Sequence, residues 1–352
     1  MRFRVFFVLE GVFLNILLGA CEHNQNPISV AKPLEEQIVF ATAKETPEHT
    51  LVSEIYLIND KGAGIRKLAD GFEPRVSPDG RKVLFTGRMS NDQRSDIWAV
   101  ELANGSLQNL TRTPTGRTDT DGQWSPDGSQ IAYDSNIGPP TFDTSLWVMN
   151  ADGSNQRHVT TDTTADSWAP RYSPDGKRLA FHWDYKGGGR PREIHTINID
   201  GSDERRIAVN AQYPVWSPDG QMLAFYGYII NADGSGLRPL LPDEPNARVY
   251  LISWSPDGRR VVFGQLVDSQ ANVFTDNKDG SGKIQLTHFT TAGAFRAIAW
   301  SPTGKKIAFS YYHDALSYYN EALHIMNDDG SDLRKITDNI GVSEIQWVPP
   351  SK

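Results

Sequence analysis

The 352-residue chain carries a formal charge of −8 and a pI of about 5.5, with both signs dispersed beyond a basic N-terminal start, which argues against nucleic acid as a main partner. Its 30 glycines and 21 prolines suit many short strands joined by tight turns and argue against an all-helical body. The one cysteine excludes an intrachain disulfide framework, so the fold stands on burial alone.

The chain opens on Met1-Arg2-Phe3-Arg4, a positive start, followed by a largely apolar run from Val5 to Leu18 and small residues at Gly19 and Ala20 before Cys21. That is the layout of a signal peptide over residues 1–20. Glu10 and Asn15 interrupt the run and weaken it as a permanent membrane helix; an uncleaved N-terminal anchor is the alternative. Leu18-Gly19-Ala20-Cys21 resembles the lipobox of bacterial lipoproteins. The resemblance implies lipidation of Cys21 and a chain anchored in the bacterial envelope, on the periplasmic side. Residues 21–36 are polar, carry Pro27 and Pro33 and show no sustained periodicity, as a tether does.

From residue 37 to 349 the chain repeats. Ser-Pro-Asp-Gly begins at Ser77, Ser125, Ser173, Ser217 and Ser255, with Ser301-Pro302-Thr303-Gly304 as a further copy, at intervals of 38 to 48 residues. Pro presets φ at the first central position and Gly accepts the left-handed backbone that folds a second strand back. An aromatic precedes the serine at Trp124, Tyr172, Trp216, Trp254 and Trp300, and an apolar run such as Val83-Leu84-Phe85 or Ile131-Ala132-Tyr133 follows the turn. Blade-to-blade packing accounts for the aromatic. A second turn, as in Asn150-Ala151-Asp152-Gly153-Ser154, joins a strand like Leu146-Trp147-Val148-Met149 to one like Arg157-His158-Val159-Thr160. It lacks the acidic ladder and distal glutamate of a calcium loop. Four strands per unit at this period predict an all-β propeller of four-stranded antiparallel blades.

Trp-Ser-Pro-Asp-Gly, then Ile-Ala-Phe, then Leu-Trp-Val-Met-Asn-Ala-Asp-Gly-Ser and a strand ending in Leu-Thr resembles the TolB-like propeller repeat, a cousin of the WD40-like repeat, over residues 37–348. TolB itself carries an α/β domain before its propeller, for which the tether leaves no room, so a TolB-like propeller and not TolB is expected.

Ile38-Val39-Phe40 matches the strand after the repeat turn, and Ser343-Glu344-Ile345-Gln346-Trp347 matches the strand before it. The two half-units complement each other and predict seven blades, the ring closed by the C-terminal strand. Tyr226-Gly227-Tyr228 leaves almost no room between two strands of one unit, which keeps six blades as the fallback. Both kinds of turn fall on one face of the disc. The other face takes the longer connections, among them 42–53, 183–192, 264–271 and 310–321, and is the expected binding face.

No nucleophile elbow, HExxH, phosphate loop or CxxC pattern is present, and no catalytic residue, metal ligand or cofactor is assigned. His182-Trp183-Asp184-Tyr185 and Tyr311-Tyr312-His313-Asp314 leave equivalent strands, so their side chains could converge as a metal site, as acid and base, or simply cap strands. The candidate binding residues of the irregular face are Trp168, His182, Trp183, Tyr185, Arg190, Arg192, Tyr213, Tyr250, Arg296, Tyr311, Tyr312 and His313, a set suited to a protein, peptide or glycan. The expected function is a monomeric, non-enzymatic binding or scaffolding propeller. The alternative is an enzyme such as a metal-dependent polysaccharide lyase resembling oligogalacturonate lyase. A serine-peptidase propeller would need a hydrolase domain that this length does not hold.

Overall fold

The computed structural model describes residues 35–350 apart from 46–50, 89–93, 113–116, 138–142, 163, 187–188, 242–246, 313–320 and 339. The leader, Cys21, the tether up to residue 34 and His313 lie outside the described residues.

The first three strands, β1 (Gln37–Glu45), β2 (Leu51–Asn59) and β3 (Arg66–Asp70), form an incomplete blade. Six complete blades follow. Blade I is β4 (Phe72–Val76), β5 (Lys82–Arg88), β6 (Ser95–Glu101) and β7 (Leu107–Asn109). Blade II is β8 (Arg117–Trp124), β9 (Gln130–Ile137), β10 (Asp143–Asn150) and β11 (Arg157–His158). Blade III is β12 (Ala165–Tyr172), β13 (Arg178–Tyr185), β14 (Glu193–Asn198) and β15 (Arg205–Val209). Blade IV is β16 (Val215–Trp216), β17 (Met222–Phe225), β18 (Tyr228–Asn231) and β19 (Arg238–Pro239). Blade V is β20 (Arg248–Trp254), β21 (Arg260–Val267), β22 (Gln270–Asn277) and β23 (Ile284–Gln285). Blade VI is β24 (Ile298–Trp300), β25 (Lys306–Tyr311), β26 (Ala322–Asn327) and β27 (Arg334–Lys335).

The last strand, β28 (Val342–Trp347), pairs antiparallel with β1 and completes blade VII, in the order β28-β1-β2-β3. Seven blades therefore close the ring, and the six-blade fallback falls away. In blade IV, Tyr226 (φ +33°) and Gly227 (φ +79°) form a two-residue hairpin between Phe225 and Tyr228, which needs no further room. The connection expected over 264–271 is also shorter than anticipated: β21 and β22 stay paired out to Val267 and Gln270 around Asp268 and Ser269.

The repeat spelling has a bond for each letter. Ser77 Oγ donates to Asp79 Oδ1 at 2.6 Å and accepts the Lys82 amide at 2.9 Å, and the pair recurs at Ser125, Ser173, Ser217 and Ser255. Gly80 sits at φ +70°, where a Cβ would strike the Pro349 carbonyl at 2.6 Å. An indole at the end of the first strand reaches across to the previous blade: Trp124, Trp216, Trp254 and Trp347 donate Nε1–H to the carbonyls of Arg75, Arg171, Val215 and Ala299 at 3.0 to 3.2 Å. Threonines two residues past the fourth strands, Thr111, Thr160, Thr287 and Thr337, accept the amides of Ile97, Leu146, Val273 and Leu323.

The core is not one central mass but lies in the junctions. Seven apolar clusters each join two adjacent blades. In β5, Val83 and Phe85 pack toward blade VII while Leu84 packs toward blade II. Second strands are thus buried on both faces, which is why they read as continuous apolar runs and not as alternation.

Candidate functional site

The irregular face is shaped by kinks in the first strands β4, β8 and β12, where the register shifts, and just ahead of β16. Glu73, Asp121, Ala169 and Tyr213 each stand four residues ahead of a repeat serine, with φ of 57°, 53°, 53° and 56°. A Pro or Gly follows each: Pro74, Gly122, Pro170 and Pro214. Left-handed backbone at four non-glycine residues is strained and must be held by its surroundings.

Here it is held from the blade before. The Asp121 amide donates to Glu73 Oε2 at 2.9 Å, the Ala169 amide to Asp134 Oδ2 at 3.0 Å, and the Tyr213 amide to His182 Nε2 at 2.9 Å. Three successive junctions, I to II, II to III and III to IV, are latched in the same way. His182 therefore has a structural duty, and because Nε2 accepts, its proton is on Nδ1.

These latches surround a cavity of about 360 Å³ whose wall includes Glu73, Asp121, Asp134 and His182. Below it lies a charge network facing the axis. Asp121 is held by Arg75 at 3.2 Å and Arg171 at 3.1 Å, and Arg75 also pairs with Glu344 at 2.8 Å. Burial works against the Asp121 carboxylate, but Arg171 and Arg75 outweigh it and hold the group below its ordinary range. Burial pushes Glu73 up to about 8, with repulsion from Asp121 adding to it. The same two causes push Asp134 up to about 7. His182 is driven down to about 4 by burial and then by Arg192, so it is neutral at physiological pH.

Two carboxyls that titrate this high couple stability to pH. Glu73 and Asp134 hold their protons in the folded chain at pH values where the unfolded chain, with ordinary values of 4.5 and 3.8, has lost them. The folded state then binds more protons, and stability falls as pH rises toward 8. The urea midpoint is expected to drop between pH 5 and pH 9, and to drop less in Glu73→Gln, which keeps an acceptor for the Asp121 amide and exceeds the parent at pH 9. Parallel profiles for parent and variant would contradict this.

At the cavity's mouth Trp168 and Tyr213 are 38% and 55% exposed. Tyr213 meets the edge of Tyr226 at 5.7 Å, where the short hairpin of blade IV keeps that side of the rim low. Arg192 stands beside them, bonded to Asp184 and Gln212. Trp168, His182, Arg192 and Tyr213 are thus the expected binding residues that come together.

Others do not join them. Trp183 is 4% exposed, stacked on His195 at 4.6 Å in the junction between blades II and III. Tyr311 is 1% exposed and stacked on Phe289 at 4.1 Å. Both belong to two-sided second strands and present no ring to a ligand, and Tyr312 is buried as well. Tyr185 carries the Arg190 guanidinium over its ring at 4.6 Å, and Arg296 pairs with buried Glu321. The side chain of Tyr250 lies outside the described residues. On alignment of Phe181 with Phe309, His182 matches Ser310, so the strands are equivalent but His182 and His313 are not at equivalent positions. Among the described residues no three His, Cys, Asp or Glu side chains are grouped to hold a metal ion.

No family model matches the chain, and no curated relative does. Among solved structures the chain is similar to TolB from Acinetobacter baumannii, with 16% identity, a TM-score of 0.55, and 90% of this chain and 67% of that one covered. The chain shares the propeller fold of that protein. It is also similar to an oligogalacturonate lyase in complex with manganese, at 14% identity and TM-score 0.63 over 86% of each chain. A puromycin-hydrolyzing peptidase of Mycobacterium tuberculosis matches at 13% identity and TM-score 0.67, over 86% of this chain but 52% of the peptidase. Likeness at these identities establishes the fold, and chemistry has to be argued from the site.

Proposed function

We propose that this TolB-like propeller is a non-enzymatic binding platform of the bacterial envelope, tethered through a lipid on Cys21 and taking a protein, peptide or glycan partner on its irregular face. The observation that carries the binding assignment is the pair of exposed rings, Trp168 and Tyr213, set at the mouth of a polar cavity on a rigid ring of blades. Exposed aromatics beside unmet polar groups are the usual anchors of recognition. The backbone latches at Glu73, Asp134 and His182 fix that mouth in place before any partner arrives, so little ordering cost is left for binding. Anchorage follows from the Leu-Gly-Ala-Cys ending of the apolar leader, and Cys21→Ser is expected to leave the membrane fraction.

The test is capture from envelope extract on immobilised protein, followed by mass spectrometry. Trp168→Ala and Tyr213→Ala are each expected to weaken retention of the main co-eluting species by about 1 to 3 kcal/mol while leaving the melting transition in place. Retention unchanged by both substitutions would remove the irregular face as the binding surface.

A further inference from the structure

The cavity between blades I and IV is lined by two side chains, Glu73 and His182, that each keep one polar atom without a partner among the described residues. Glu73 Oε2 accepts from Thr86 and from the Asp121 amide, and no donor among the described residues meets Oε1. The His182 side chain is 7% exposed, Nε2 is occupied by the Tyr213 amide, and no acceptor among the described residues meets Nδ1–H. Both residues line the same cavity. A ligand in the cavity can supply the partner that each atom lacks.

Electrostatics settles the charge of that ligand. Glu73 on β4 faces Asp121 on β8, Asp134 on β9 and Glu344 on β28. The cations on the other side, Arg75 and Arg171, are already committed to Asp121 and Glu344. Asp166 accepts the Thr144 amide and Asp184 holds Arg192, so neither relieves Glu73. A hydroxyl would satisfy Oε1 while leaving Glu73 protonated at neutral pH. A cation would instead satisfy it and relieve the repulsion among the carboxylates. The exposed faces of Trp168 and Tyr213 add favourable surroundings for a cation or for the C–H face of a ring.

We infer that this cavity binds a primary ammonium carried beside an oxygen acceptor, the ammonium donating to Glu73 Oε1 and the acceptor receiving the His182 Nδ1–H. A 2-amino sugar and the α-amino end of a peptide both present that pair of groups, and the volume admits one such unit. The inference rests on the assignment of the irregular face as the binding face. Because Glu73, pushed up to about 8, is protonated before binding near pH 7, the ligand displaces a proton as it enters, and affinity rises with pH for as long as the ammonium itself stays charged.

The experiment is calorimetric titration of the full chain with ethanolamine, the smallest probe with both groups, and with N-acetylethanolamine, which lacks the charge. Ethanolamine is expected to bind about tenfold tighter at pH 8 than at pH 6 and to release protons, read as a heat that changes with the buffer's ionisation enthalpy. N-acetylethanolamine is expected to bind at least about tenfold more weakly. Glu73→Gln, which retains the acceptor for Asp121, should lose most of the pH dependence. Glucosamine and glycinamide, titrated in parallel, identify whether a sugar or a peptide end is the better source. Equal binding of the neutral and charged probes, no proton release in the parent chain, or no binding by any of the four would overturn the inference. If the probes fail while Trp168→Ala still weakens capture from envelope extract, only the ligand assignment fails and the binding face stands.

Discussion

Deletion of residues 343–352 is expected to abolish cooperative unfolding and leave an aggregating chain. The deletion removes nearly all of β28, the strand that converts three N-terminal strands into a blade. Ile345 and Trp347 are 5% exposed in the junction with blade VI, the Trp347 indole is bonded to the Ala299 carbonyl at 3.1 Å, and Glu344 is the partner of buried Arg75. Burial of the two apolar side chains alone is worth roughly 1.5–3 kcal/mol each, against a typical net stability of about 5–15 kcal/mol. The deletion also leaves β1 as an unpaired edge facing the axis. Trp347→Ala provides a milder version, with an expected loss of about 3–5 kcal/mol in urea unfolding. A truncated chain that melts with the sharpness and midpoint of the parent would show that the ring does not depend on its last strand.

The second large effect is expected at Arg75. Its guanidinium is surrounded by Glu344 and Asp121, with Glu73 close by, and although burial opposes its charge, these carboxylates hold it protonated. Arg75→Met keeps the stem but takes the partner from half-buried Glu344 and leaves Asp121 with Arg171 alone, a loss expected at about 3 kcal/mol, the low end for breaking a buried pair. The loss is predicted to shrink in acid, where Asp121, with one of its two cations gone, can take a proton. Arg171→Met is expected to cost less, because Asp121 keeps Arg75. Urea midpoints for both variants at pH 4 and pH 7 test this, and an Arg75→Met loss below about 1 kcal/mol at pH 7 would show that the network is solvated and of little weight.

The scaffold was legible because its signals are local and repeated. Ser77, Ser125, Ser173, Ser217 and Ser255 each mark the same turn, and the half-units around Phe40 and Trp347 predict their own pairing. Blade IV was ambiguous because a two-residue hairpin at Tyr226 and Gly227 leaves no loop to recognise. The site was legible only in part. Trp168, His182, Arg192 and Tyr213 stand out as functional residue types on the irregular side. Glu73, Asp121 and Asp134 were missed because blade stacking, not sequence proximity, brings their charges together. Their signal was a residue before Pro or Gly, four places ahead of the repeat serine, at Glu73, Asp121, Ala169 and Tyr213. Trp183 and Tyr311 were taken for rim residues because a strand buried on both faces gives no alternation by which to tell inward from outward.

Site-specific photo-crosslinking in cells tests the binding-face claim most directly. A photoreactive residue replacing Trp168 at the cavity mouth is compared with one replacing Asp152, an exposed turn residue on the opposite face. The account predicts a discrete adduct from position 168, lost when Tyr213 is truncated, and none from position 152. A discrete adduct from position 152 alone would place the partner on the turn face and contradict it.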